Sequence, residues 1–599
     1  MGRLDQERLK GSRGPGPTRA RRRVFKLYLI KPSHYDDDGY VIQWVRSHVP
    51  SNSLAALNGI ARDCVRERVL GPEVDIQITV MDEVNTRIRP KRIARAIKNS
   101  SDGGLVALIG VQSNQFPRAV DLARPLCAAG VPVCVGGFHV SGSLAMLPDI
   151  PPDIQDALDL GVSLFAGEAE GRLADLLQDA RRGALKPVYN WMAELPALNG
   201  APIPFMPRDK SSLRATKRAS FDCGRGCPFQ CSFCTIINVQ GRKSRFRTAD
   251  DVEQVLRANL AEGTKKLFIT DDNFARNKNW EAIFDRIILL REVEGLKFNF
   301  IIQVDTLCHR IPNFVEKAGR AGVNRVFIGL ENINPDNLVG ANKRQNRITE
   351  YRAMLQAWKR VGTITYCGYI IGFPNDTRAR VLNDIEIIKR ELPVDLIEFF
   401  MLTPLPGSED HKVLAANGAA MDPDMNNYDL EHVTTGHTLM SADQWMTLYR
   451  DAWHAFYTPA HVATVMRRAV AFGIGPRKIK TLVLSFFGAQ VIEGIHPLQG
   501  GFLRLKHRTD RRPGSKRVNP LLFYPAYGWE TLKKAARFYS LNRSYERLLA
   551  RVEAASDKAG YTDLALRPAS DDDLDQLKMF SETVAVEQTA KQAAGEAAE

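Results

Sequence analysis

No apolar run in this 599-residue chain reaches the ~20 residues that a membrane-spanning helix needs. The charged first 23 residues contain no apolar core of a secretory signal. Residue 6 is Gln rather than Ser or Thr, so Met1-Gly2 does not open a myristoylation pattern. Cysteine is scarce, nine in all and partly clustered, which excludes a secreted disulfide scaffold and fits a reducing cytosol. The basic blocks lack interleaved aromatic residues, which argues against stacking on nucleic-acid bases. Acidic residues fall short of basic ones, 68 against 82, for a net charge of +14. The excess is concentrated in residues 1–23 and in Arg504 to Arg517, where it fits an anionic partner or a solvated surface. Length alone predicts three or four units at about 150 residues each.

What the chain does have is one dense cysteine run, Cys223-Gly-Arg-Gly-Cys227-Pro-Phe-Gln-Cys231-Ser-Phe-Cys234. Cys227, Cys231 and Cys234 fall within eight residues, close enough to fold about one centre. Thiolates are the ligands of a 4Fe–4S cluster, and three of them leave one iron open. A structural zinc site would need a second Cys arm, and none follows. The Cys-x3-Cys-x2-Cys spacing resembles the radical S-adenosylmethionine (SAM) superfamily, and Phe233, just before the last ligand, matches that family's aromatic position. The resemblance implies that the open iron binds the amino and carboxylate groups of SAM. Electron transfer then cleaves the sulfonium to methionine and a 5′-deoxyadenosyl radical. Cys223 is either a fourth ligand or a free thiol. The family motif begins at the Cys of Gly-Cys-Pro, which favours the free thiol.

Upstream, strand patterns at Val24–Ile30, Val74–Val80, Leu105–Gly110, Val131–Val135 and Ser163–Phe165 alternate with helical patterns. That rhythm predicts a flavodoxin-like, Rossmann-type doubly wound domain over 24–186, with ligands at the carboxyl ends of its strands. Gln112, Ser113 and Asn114 follow the third strand at that edge. The runs Gly136-Gly137-Phe138-His139-Val140-Ser141 and Gly167-Glu168-Ala169-Glu170 resemble the cobalamin-binding domain of one radical SAM subgroup. This implies bound cobalamin, with Gly136, Gly137, His139 and Ser141 beside it. No Asp-x-His-x-x-Gly follows the first strand, so His34 lacks the context of a cobalt ligand.

Residues 187–218 are Pro-rich and read as a linker. From 219 to 425 six strand–helix repeats predict a partial (β/α)6 TIM-type barrel, whose active residues gather at strand ends. By resemblance, Asp272 meets the SAM amino group, Glu331 its ribose, and Gly368, Ile370 and Gly372 its adenine, with Asp376 nearby. Arg242, Lys243, Arg245 and Arg247 follow the cysteine loop and face an anionic cluster, a substrate or solvent. Residues 426–565 read as a helical C-terminal region; Leu482–Ile492 is too short to span a membrane and reads as core. Residues 1–23 and the acidic 566–599 read as disordered tails.

The resemblance implies a cobalamin-dependent radical SAM enzyme performing methylation, cyclisation or rearrangement at an unactivated carbon. Its partners would be a small-molecule or lipid-like substrate and an electron donor such as flavodoxin or ferredoxin. The expected location is cytoplasmic, with peripheral membrane contact open through the basic block. Two alternatives stand beside it. One is a radical methylthiotransferase acting on RNA, which would need Cys64, Cys127 and Cys134 as ligands. The other is a non-enzymatic cobalamin- or redox-sensing module.

Overall fold

The computed structural model describes residues 22–206, 218–343, 345–556 and 560–568. Most of the basic tail, the middle of the linker and the acidic tail from 569 lie outside the described residues.

The N-terminal domain is built on β1 (Arg23–Lys31), β3 (Val74–Asp82), β4 (Gly104–Leu108), β5 (Val133–Gly136), β6 (Ser163–Ala166) and β7 (Val188–Asn190), while β2 (Gln43–Ser47) stands apart. Its sheet is parallel, in the order β3-β1-β4-β5-β6-β7. Side chains alternate between two cores. Leu105 and Ala107 of β4 face one layer of helices, and Val106 and Leu108 face the other. This is the doubly wound domain expected, extended by β7 into the stretch read as linker. The short, Pro-flanked Val-Tyr-Asn segment carries too little pattern to show as a strand.

The barrel runs through β8 (Arg218–Phe221), β11 (Lys266–Ile269), β12 (Asn299–Val304), β13 (Val323–Glu331), β14 (Ile364–Ile371) and β15 (Leu396–Met401). These six parallel strands lie in chain order across one sheet, as β15-β14-β13-β12-β11-β8. Two short strands, β9 (Gly224–Arg225) and β10 (Arg245–Phe246), pair antiparallel and bracket the cysteine loop.

Helices Ala442–Phe456, Pro459–Ala471, Pro476–Gly488 and Pro520–Ala554 cap the barrel. The C-terminal region is not purely helical, as its sequence pattern implies. It contributes β16 (Gly501–Leu505), antiparallel to β2 of the N-terminal domain. Trp44 cements that pair: its Nε1 donates to the Gln499 carbonyl at 2.9 Å, and a Cβ on Gly501 would lie 2.3 Å from Trp44 Cγ. Such pairing spans more than 400 residues of chain and leaves no local signal.

The basic block is largely absorbed internally. Arg504 pairs with Asp36 at 2.8 Å, Lys506 with Glu530 at 3.0 Å, and Arg512 with Asp424. Val483, Phe487 and Ile492 are buried, so the 482–492 run is core. Among the described residues no helix is long and apolar enough to cross a membrane.

Candidate active site between the barrel mouth and the N-terminal domain

The cysteine loop leaves β8 at its carboxyl end and is pinned on several sides. The Cys223 N–H donates to Asp271 Oδ1 at 2.6 Å, and the Cys227 N–H to the Gly241 carbonyl at 3.2 Å. The Ser232 N–H reaches the Ala341 carbonyl at 3.1 Å, and the Ser232 carbonyl accepts from the Asp410 N–H at 3.1 Å. Gly226 turns the chain at φ +90°, where a Cβ would lie 2.5 Å from the Lys243 carbonyl. Only glycine fits there.

Cys231 is buried, Cys227 and Cys234 half-buried, and all three are free thiols. Burial, then the neighbouring Asp272 and Cys231, pushes the Cys234 thiol up to about 12. Burial also raises Cys227. Thiols so disposed are held neutral unless a cationic centre takes them as thiolates, which is the chemistry of an iron–sulfur ligand set. Among the described residues no three His, Cys, Asp or Glu side chains converge as for a single metal ion. Cys223 stands in the hydrophobic core with Phe221, its thiol raised by burial and by Asp271. Cys64 and Cys134 are likewise core residues, apart from any loop that could gather ligands.

Two residues that pattern reading passed over complete the loop. Lys343, just past the Pro335–Gly340 helix, pairs with Glu331 and lies 5.4 Å from the centre of the Phe233 ring. Burial works to lower its pKa, but Glu331 and the thiols of Cys231 and Cys234 win and hold it above the ordinary lysine range. Gln345 Nε2 donates to Cys231 Sγ at 3.4 Å. Neither stands at a strand end, where attention falls first.

The predicted SAM-binding residues largely come together. Phe233 packs with Ile370, Phe373 and Ala341 in a small apolar cluster at the barrel mouth. Asp272 is close enough to Cys227 and Cys234 to shift both, and burial raises its own carboxyl to about 7. Glu331 adopts φ +63°, a strained geometry for a residue with a side chain. Gly368 leaves space between Phe327 and Phe400, which a Cβ would meet at 2.9 and 3.2 Å. Gly372 also makes room for the cap. At φ +117° its missing Cβ makes room for Trp445 of the cap, whose Nε1 donates to the Ile371 carbonyl at 3.1 Å. Asp376 accepts the N–H groups of Gly372 and Phe373 at 2.8 and 3.1 Å and so fixes that turn.

The N-terminal domain meets this mouth through the Phe138–Met146 helix. A Cβ on Gly142 would lie 2.5 Å from the Pro406 carbonyl and 2.8 Å from Gly407 Cα. Gly137 has φ +154°, and a Cβ there would strike Val111 N at 2.1 Å. A cleft of about 420 Å³ lies between the domains, lined by Ser33, His34, Gln112, Ser113, Asn114 and Phe138 on one side and Thr235, Ile236, Leu405 and Pro406 on the other. A second pocket of about 170 Å³ enters the N-terminal domain itself, lined by Gly110, Gly136, Gly137, Ser141, Phe165 and Leu173. Phe138 borders both.

His139 is not beside either space as expected. Its Nδ1 meets Ser113 Oγ at 3.2 Å, its Nε2 meets Asp153 Oδ2 at 2.8 Å, and it is 1% exposed. Both of its ring nitrogens are thus engaged within the N-terminal domain. Ser141 Oγ accepts the Gly167 N–H at 3.0 Å and still lines the inner pocket. Burial lowers His34 to about 4, so its imidazole is neutral where it lines the cleft.

The arginines after the loop also differ from expectation. Arg245 binds Glu168 of the N-terminal domain, and Arg247, fully buried, donates to the Asp222 and Ala201 carbonyls at 3.0 and 3.1 Å. They are structural ties.

Residues 222–388, from the cysteine loop into the Arg378–Glu391 helix, match the Radical SAM superfamily. The barrel is a radical SAM domain. Such a domain implies a 4Fe–4S cluster and SAM, and the loop and mouth just described carry residues that fit both.

The bacteriochlorophyllide d C-12(1)-methyltransferase of Chlorobaculum tepidum is 29% identical over 47% of this chain and 59% of its own length. The chain thus spans about three fifths of that relative. The hopanoid C-2 methylase of Rhodopseudomonas palustris is 24% identical over 63% of this chain and 69% of that protein. Around the radical SAM domain, the whole fold is similar to the radical SAM methyltransferase TsrM of Kitasatospora setae, solved with cobalamin and a 4Fe–4S cluster. That likeness has a TM-score of 0.53 at 13% identity and covers 77% of this chain and 98% of that one.

Proposed function

We propose that this chain is a cobalamin-dependent radical SAM methyltransferase acting at an unactivated carbon of an apolar small molecule. The observation that carries the reading is a cleft in which the two halves meet. Phe138, Gln112 and Asn114 of the doubly wound domain face Thr235 and Ile236, the residues directly after Cys234.

Cys227, Cys231 and Cys234 would hold the cluster, which supplies the electron that cleaves SAM. Asp272 offers a carboxylate to the SAM ammonium group, a charge-assisted bond strongest in so buried a place. That ammonium would in turn pull the Asp272 carboxyl back below neutrality. Glu331, oriented by Lys343, presents oxygens to ribose hydroxyls, and the Phe233–Ile370–Phe373 patch offers an apolar seat for adenine. The Gly136–Gly137 turn and Ser141, which line the inner pocket, would help hold cobalamin. Its role would be to carry the methyl group. The names of the methyltransferase relatives, which act on bacteriochlorophyllide d and on hopanoids, support methylation over ring formation. A protein such as flavodoxin or ferredoxin would supply the electron.

The test is anaerobic purification with iron–sulfur reconstitution and hydroxocobalamin, followed by dithionite and SAM. Bound cobalamin, read by absorbance, together with 5′-deoxyadenosine or S-adenosylhomocysteine is the expected result. A full cluster with neither cobalamin nor SAM turnover would overturn the reading.

A further inference from the structure

The Pro520–Ala554 helix, 35 residues long, has two unlike faces. One packs on the protein through Phe523, Tyr545, Leu549 and Val552. The other is bare. Leu521 is 81% exposed, Trp529 61%, Leu532 65% and Tyr539 66%. Their spacings of eight, three and seven residues, filled in by Pro525 and Ala536, make one stripe five turns long. Leu522 and Tyr524 widen it at the start. On β16, which Tyr527 ties to the helix through the Arg504 carbonyl at 2.9 Å, Phe502 is also 67% exposed. A continuous exposed apolar surface of this extent marks an interaction site.

The chemistry around the stripe selects the partner. Lys533 sits 5.4 Å over the Trp529 ring. Beyond Tyr539 the same face continues as exposed Arg543 and Arg547, and exposed Lys516 and Arg517 precede the helix. Acids near the stripe are turned inward: Glu530 pairs with Lys506 and Lys534. Leucines with Trp and Tyr, flanked by cations, match the boundary between acyl chains and anionic headgroups, and the exposed Glu546 beyond Tyr539 is paired with Lys480. We propose that this face of the Pro520–Ala554 helix docks the protein on an anionic lipid bilayer, lying in the plane of the interface.

The same turns that point Trp529 and Leu532 outward direct Glu530 and Lys534 into a cavity of about 510 Å³, which shares His34 and Asp429 with the interdomain cleft. Docking would hold that cavity about one helix diameter from the bilayer, where an apolar substrate dissolves; this last step rests on the methyltransferase reading, whereas docking itself does not.

The test uses the full-length protein and sedimentation with vesicles, one set of phosphatidylglycerol mixed equally with phosphatidylcholine and one of phosphatidylcholine alone. Wild type is expected to pellet with the anionic set, less at high salt and little with the neutral set. Leu532→Glu should lower the partition coefficient about tenfold, as expected when one buried large apolar side chain is lost. Trp529→Phe should remove a vesicle-induced blue shift of tryptophan emission without changing the melting temperature. Equal pelleting of wild type and Leu532→Glu would overturn the proposal. So would failure of wild type to pellet, or a dimer in solution that Leu532→Glu converts to monomer without any vesicle binding. Because vesicle binding needs neither cluster nor cobalamin, its loss is distinguishable from failure of the SAM chemistry.

Discussion

Arg225, two residues ahead of Cys227, reaches out of the barrel to Glu168 at 2.6 Å and Glu170 at 2.7 Å on the N-terminal domain. Arg245, its antiparallel neighbour, shares Glu168. The Gly167-Glu168-Ala169-Glu170 run is thus the grip by which the doubly wound domain holds the base of the cysteine loop. Its charges are nearly buried, so their pairing is costly to break from one side.

Arg225→Ala should therefore destabilise the protein by about 3–5 kcal/mol, the usual cost of an uncompensated buried charge. Pairing the change with Glu170→Gln should cost less than the sum of the single changes, because the stranded carboxylate is removed. Denaturant unfolding of the four proteins measures the coupling. Strict additivity would show that the pair does not interact.

The closeness of Gly142 to Pro406 and Gly407 sets a second expectation. Backbone, not a flexible side chain, occupies the place of its Cβ, so Gly142→Val must push the two domains apart. Cobalamin retention should fall by at least about tenfold, while iron content stays at the wild-type level. Gly436→Ala is the matched control, since nothing lies within 4 Å of its Cβ position.

Much of this architecture was legible from pattern alone. All six barrel strands, five of the six strands of the N-terminal sheet and the Cys-x3-Cys-x2-Cys loop stand close to where periodicity and spacing put them. What pattern could not reach is pairing across distance. β2 with β16, Arg225 with Glu168, and Lys343 with Glu331 join residues that carry no local signature of each other. His139 misled for a related reason: its place after two glycines marks a ligand edge, but Ser113 and Asp153 claim its ring from elsewhere in the chain. The basic block misled likewise, because Asp36, Glu530 and Asp424 meet it only in the folded protein.

Glu398 predicts a pH effect. It lies on β15 opposite Gly368, 1% exposed, and neither carboxyl oxygen has a hydrogen-bond partner among the described residues. Burial raises it from 4.5 to about 8. Between those values the folded protein keeps a proton that the unfolded chain has lost, so this group's contribution makes stability fall as pH rises. Glu398→Gln should flatten that slope and raise the unfolding free energy at neutral pH by about 3 kcal/mol. Urea titrations at a low and a neutral pH would show it; an equal or larger slope in the variant would refute the assignment.

Lys343 separates assembly of the cluster from its tuning. Cys231→Ala removes a ligand, so iron content and 5′-deoxyadenosine formation should both be lost. Lys343→Met keeps every thiol but removes the cation held between Glu331, Phe233 and the cysteines. Adding an electron makes a thiolate-ligated cluster more negative, and a nearby buried cation stabilises that state. The variant should retain iron yet show a more negative reduction potential in a titration followed by electron paramagnetic resonance, along with weaker SAM binding from a misoriented Glu331. A potential equal to wild type would mean that Lys343 serves Glu331 alone, and loss of iron would place it in assembly rather than tuning.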